Sequence, residues 1–218
     1  GNLSATPPPD YLDPSRHSGT SLGNLGTCFY PGSSRFKGLS ITNAPFDTAQ
    51  TMFKIELKIT QLAVAAKGYF FAKTLANGSP YFALRYDPAF FETASGPAAA
   101  VVFEYGTVNG VKSEAWSAAA LNDPSRNLDV SPHVLVLDVR GTTVALTVGE
   151  ETTVRQLGQL VPDCERSGNC LMNVGQSTSD GDGSWVGGGA CFKSATVQVP
   201  ESIDLLDPLN HGQRSDFD

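Results

Sequence analysis

The sequence is short of charge, of basic residues and of long apolar runs. Of its 218 residues only 17% are Asp, Glu, Lys or Arg, against roughly 25% in an average soluble protein. Fifteen Lys and Arg face 22 Asp and Glu, for a net charge of -7. A protein that tracks nucleic-acid phosphates needs a basic footprint, so the balance argues against nucleic acid as a partner. No uninterrupted apolar stretch approaches the roughly 18–20 residues of a membrane span, which argues against direct membrane insertion. The four cysteines show no CxxC or His-containing zinc spacing, so a structural zinc site is not expected. The opening GNLSATPPPDY has neither a basic nor an apolar segment, and no signal peptide is read in it.

Turn residues and core formers are plentiful. Gly and Pro number 22 and 14, and hydrophobic residues make up 40%. Disorder throughout is therefore excluded, and the length fits one all-β domain. Residues 1–21, rich in Pro, Ser, Asp and Gly, read as an irregular arm. Residues 22–200 read as the domain, and 201–218 as a tail or linker. Four of the acids lie in the last 15 residues (Asp204, Asp207, Asp216, Asp218), so the domain itself is closer to neutral.

Within 51–60, Phe53, Ile55, Leu57 and Ile59 alternate with Lys54, Glu56, Lys58 and Thr60. That is a strand with one buried and one solvated face. Strands are also expected at 68–74 and 81–86, joined by a hairpin signal at Asn77-Gly78. The pairs 100–105 with 111–116, and 133–139 with 143–148, read as further hairpins, followed by strands at 171–175 and 192–199. Residues 115–121 hint at a single helical turn. Many short strands with tight turns and no long helix predict an antiparallel two-sheet β-sandwich of jelly-roll type.

Cys28, Cys164, Cys170 and Cys191 permit three pairings. The preferred one joins Cys164 to Cys170 across a short polar loop and Cys28 to Cys191 between the first and last strands. Four reduced core thiols are the alternative. With the sequons at Asn2 and Asn77, the cysteines favour a secreted or cell-surface glycoprotein.

The segment 133–148 (HVLVLDVRGTTVALTV) resembles a strand–turn–strand unit of the laminin G-like and thrombospondin-N-terminal-like superfamily, within the concanavalin A-like sandwiches. FKIELKI, GYFFAK and YFAL resemble that family's opening strands, and LMNVGQ and FKSATV its later ones. The matches run in order over roughly residues 27–199. Where the family has Gly-Cys after the Phe of its last motif, this chain has Ser194-Ala195, with Cys191 ahead of Phe192. Where many members place a calcium-binding Asp before the strand matched by YFAL, this chain has Ser79-Pro80, so that ligand is not carried over. The resemblance implies an extracellular recognition or adhesion module rather than an enzyme.

Glycan hydrolysis by the same architecture needs two carboxylates about 5–10 Å apart. Glu56 and Glu104 read as isolated, and Glu150 and Glu151 sit at a turn. The Gly19-Thr20-Ser21-Leu22-Gly23 match to a nucleophile elbow lacks the strand and helix it requires. The three histidines have no ligand or catalytic spacing. Asp180 and Asp182, in a Gly-rich loop, offer oxygens suited to calcium, against the simpler reading of an acidic loop tip. No other cofactor is implied. Trp185 and Ser184 in that loop, and Asp87 in Tyr86-Asp87-Pro88, are the candidate contacts with a partner; for Asp87 the plainer reading is the start of a turn. Trp116 reads as core. The loops 175–189 and 87–96 are the expected surfaces for a protein or glycan partner. A carbohydrate-active enzyme or lectin of this class is the alternative, and a spacer domain of a larger surface protein a third. Two carboxylates or a Tyr/His/Arg cluster in the concave face is the feature that favours the enzyme.

Overall fold

The computed structural model describes residues 27–29, 39–42, 52–62, 66–75, 80–107, 110–122, 132–161, 170–177, 190–199 and 201–204. The described strands are β1 (Thr27–Phe29), β2 (Leu39–Thr42), β3 (Met52–Leu62), β4 (Gly68–Leu75), β5 (Pro80–Thr93), β6 (Gly96–Thr107) and β7 (Gly110–Ser117). They continue with β8 (His133–Arg140), β9 (Thr143–Val148), β10 (Glu151–Gln156), β11 (Cys170–Val174), β12 (Ala190–Val199) and β13 (Glu201–Asp204). A 3-10 turn at Ala119–Asn122 matches the expected helical hint. One sheet runs β1-β12-β3-β8-β9-β10, with β13 beside β12, and the other runs β2-β11-β4-β5-β6-β7. All the described pairings are antiparallel. The fold is therefore the expected all-β sandwich of two antiparallel sheets.

Period-2 alternation builds the core. Phe53, Ile55, Leu57 and Ile59 of β3 are buried beside Leu135, Leu137 and Val139 of β8 and Val144, Leu146 and Val148 of β9. Phe82, Leu84 and Tyr86 of β5, with Val101, Phe103 and Tyr105 of β6, supply the facing layer. Phe53 stacks on Phe82 with ring centroids 4.8 Å apart, and Phe70 meets Phe192 edge-on at 6.3 Å. Each such ring, fully buried, contributes roughly 1.5–3 kcal/mol.

Bulges adjust this pattern, and two of them change what enters the core. A register shift between Tyr69 and Phe71 lets the consecutive Phe70 and Phe71 both enter the core. It also leaves Tyr69 directly across from Arg85. A second shift in β12, around Phe192, accompanies three consecutive fully buried residues, Ala190, Cys191 and Phe192. Bulges admit an extra residue and re-aim the side chains around it.

Three expectations change. The stretch 87–96, expected as a loop, is strand and tight turn. β5 runs on to Thr93 and β6 starts at Gly96. Pro88 is accommodated because it falls at the irregularity between Asp87 and Phe91, where no ladder hydrogen bond is required of it. Strand pairing also passes residue 200, since β13 pairs with β12 within the segment expected to be a tail. Finally, β10 adds an edge strand where the sequence shows no alternation, because five of its six residues are exposed.

Candidate functional site

Arg85 alternates with the core residues Leu84 and Tyr86, so it projects from the outer face of the six-stranded sheet. Glu104, between Phe103 and Tyr105 of β6, does the same. The β5–β6 register sets Arg85 across from Val102 and Glu104 across from Ala83, making Arg85 and Glu104 diagonal neighbours. Arg85 donates from Nε to Glu104 Oε1 at 2.6 Å and from Nη1 to Asp87 Oδ2 at 2.5 Å. Tyr69 of β4 donates its hydroxyl to Glu104 Oε2 at 3.0 Å. Asp87 Oδ1 accepts the Ala89 N–H at 3.2 Å, and Lys67 Nζ lies 3.5 Å from Asp87 Oδ2. The guanidinium carbon stands 5.7 Å from the Phe90 ring centre, within cation–π range.

The ionic side chains at the centre are largely withdrawn from water: the Arg85 side chain is 9% exposed, Glu104 15% and Asp87 16%. Burial and the adjoining Glu104 carboxylate push the Tyr69 phenol up to about 12. Its hydroxyl thus stays a donor across the neutral range. Burial alone would lift the Asp87 carboxyl, but Arg85, the Ala89 N–H and Lys67 together hold it below the usual carboxylate range. For Arg85, burial works against the charge and the hydrogen bonds to Glu104 and Asp87 outweigh it.

Of the expected contact residues, Asp87 is here, and it both caps a turn and belongs to the network. Ser184, Trp185, Asp180 and Asp182 lie outside the described residues, as do Cys164, Ser21, His17, His211, Asn2 and Asn77. Among the described residues no group of three His, Cys, Asp or Glu is placed to hold a metal. His133 is buried in β8 of the other sheet. Trp116 is core, 4% exposed, and its Nε1 donates to the Thr153 carbonyl at 3.3 Å. Glu104 corrects the expectation: it is not an isolated, solvated acid but the hub between Tyr69 and Arg85. The missed signal was register, since pairing YFALRY with AVVFEY as a hairpin already brings Arg85 and Glu104 together. The register also sets Cys28 directly opposite Cys191, and Cys191 is disulfide-bonded.

Domains LG4-5 of the mouse laminin alpha1 chain superpose on 82% of this chain at a TM-score of 0.53 and 14% identity. The fold is laminin G-like. This chain spans only 42% of that laminin structure, and at such identity the likeness speaks for the laminin G-like fold alone. Galectin LEC-6 of Caenorhabditis elegans (15% identity, 83% of this chain, all of that one, TM-score 0.41) superposes more loosely and adds no argument. The same holds for an alginate lyase from Klebsiella pneumoniae (12% identity, 67% of this chain, 59% of that one, TM-score 0.34). No family model and no curated protein matches the sequence. Among the described residues no helix is long and apolar enough to cross a membrane.

Proposed function

We propose that this chain is a non-catalytic extracellular recognition module that binds a glycan or protein partner. The observation that carries the reading is the Tyr69–Glu104–Arg85–Asp87 network on the outer face of a rigid sheet. Its groups are preorganised to donate and accept, and each carboxylate is already committed to Arg85. Such fixed polar groups on a scaffold suit recognition. The Cys28–Cys191 pairing belongs to this proposal, because oxidised cysteines fit a secreted setting.

The same cluster favours a second reading, a carbohydrate-active enzyme, since it holds two carboxylates, a Tyr and an Arg. General acid–base work is most effective with a group that titrates near the working pH. A phenol at about 12 that already donates to Glu104 is poorly matched to take up a proton at neutral pH. Recognition is therefore the preferred reading. Incubating the protein with a glycan panel, with and without calcium, tests it: saturable binding without product is expected. Turnover that disappears in Tyr69→Phe would establish the enzyme instead.

A further inference from the structure

We propose that the outer-face network is a binding site for neutral saccharides presenting adjacent hydroxyl groups. This rests on the glycan branch of the recognition reading and narrows it to one ligand chemistry. Charge supports it first. Arg85 and Lys67 balance Asp87 and Glu104, so the cluster carries two positive and two negative groups. An anionic ligand entering beside Arg85 meets the field of two carboxylates within bonding distance of it. A cationic ligand meets the guanidinium. A neutral polyol meets neither penalty.

Hydrogen-bond capacity supports it second. Arg85 uses Nε and Nη1 on its carboxylate neighbours, and among the described residues Nη2 has no hydrogen-bond partner. Ionised carboxylates accept at about four lone-pair sites. Glu104 accepts one hydrogen bond at each oxygen, which leaves capacity at both. One ligand hydroxyl accepts from Nη2 while its neighbour donates to Glu104 or Asp87, a match that a hydroxyl-rich ring makes and an isolated anion does not. Hydrogen bonds with one charged member are the stronger kind.

The rim supports it third. Val102 and Ala83, beside Arg85 and Glu104 on this face, are fully buried, so the ligand is met from the edge strand β7, where Ser113 opposite Glu104 and Ser117 are both exposed and add hydroxyls to the rim. Tyr69 and Phe90, each partly exposed, flank Arg85.

The test titrates the intact chain with lactose, methyl α-mannoside and cellotetraose, and separately with alginate and heparin tetrasaccharides, at low and high salt. A neutral saccharide is expected to bind with a Kd indifferent to salt, since no net charge is neutralised. Glu104→Gln is expected to weaken that binding about tenfold or more. If Glu104→Gln does not fold, Tyr69→Phe decides: it removes only a hydroxyl, frees the Glu104 acceptor from its internal partner, and should alter the affinity of the neutral ligand. Binding confined to the anionic tetrasaccharides and weakened by salt would overturn the ligand class while leaving a glycan-binding module. Neutral binding unchanged in both variants would overturn the location. Failure of all five saccharides to bind would overturn the inference, whereas the recognition reading would then stand or fall on a protein partner.

Discussion

Arg85 is the residue on which the outer face depends. Replacing it with Ala leaves Asp87 and Glu104 near each other, poorly solvated and without their shared cation. A cost of about 3 kcal/mol is expected in urea denaturation, as for other broken buried ion pairs. Tyr69→Phe removes one hydrogen bond and should cost only about 1 kcal/mol. The two differ in pH dependence as well. The Tyr69 phenol is raised in the folded chain, so the folded form holds that proton more tightly than the unfolded one. Its contribution is fully present below pH about 10, the unfolded value, and is lost as pH rises toward about 12. The wild type should therefore lose stability over that window more steeply than Tyr69→Phe. Asp87 behaves in the opposite sense: its carboxyl is depressed, so its contribution is present above about pH 4 and disappears as acid protonates it. The outward direction of Arg85 and Glu104 was legible from alternation with their apolar neighbours. Their meeting was not, because it depends on the register of β5 on β6, and Tyr69 joins them only through a bulge that no pattern in GYFFAKT announces.

At the scale of elements, strands with clean alternation or a strong turn signal were readable, and those without were not. β3 and the β8–β9 hairpin show one buried face and a compact turn, so their bounds follow from the residues. β10 hides because exposed edge residues carry no period, and β1 and β2 hide because three or four residues are too few to show one. β5 was cut short because Asp87-Pro88 has the chemistry of a turn, while the bulge there lets the strand resume at Phe91. Beyond Tyr86 and Ala100 this hairpin leaves its neighbours β4 and β7 behind and continues as a two-stranded ribbon. Its tip is held by Thr93, whose Oγ1 donates to the Gly96 carbonyl at 2.6 Å and accepts the Ser95 N–H. Gly96 has φ +106° with nothing within 4 Å of an added Cβ. Gly96→Ala should thus cost about 1–2 kcal/mol through backbone strain alone, read as a lower urea midpoint at unchanged slope. Phe82→Ala is expected to cost about 3–5 kcal/mol, since the ring is fully buried and packs against Phe53, Phe71 and Phe103.

At the scale of the molecule, the seven-stranded sheet is tied together by a strand made late, β12. β12 lies between β3 on one side and both β1 and β13 on the other, with Cys28 opposite Cys191. Peptide mapping without reductant is expected to recover Cys28 joined to Cys191, and Cys28→Ser to lower stability by about 2–5 kcal/mol. Free thiol at Cys28 in the oxidised protein would refute the pairing. The same arrangement dictates how the chain comes together on the ribosome. The hairpins from β4 to β7 are neighbours in sequence and can pair as they emerge, whereas β3 must wait for β8 on one edge and for β12 on the other. Pairing between such distant segments is slow, and an apolar strand kept waiting with an open edge invites wrong partners. A nascent chain halted before Ala190 would hold β3 with half of its ladder unmade, so synthesis through β12 separates a foldable product from an aggregating one.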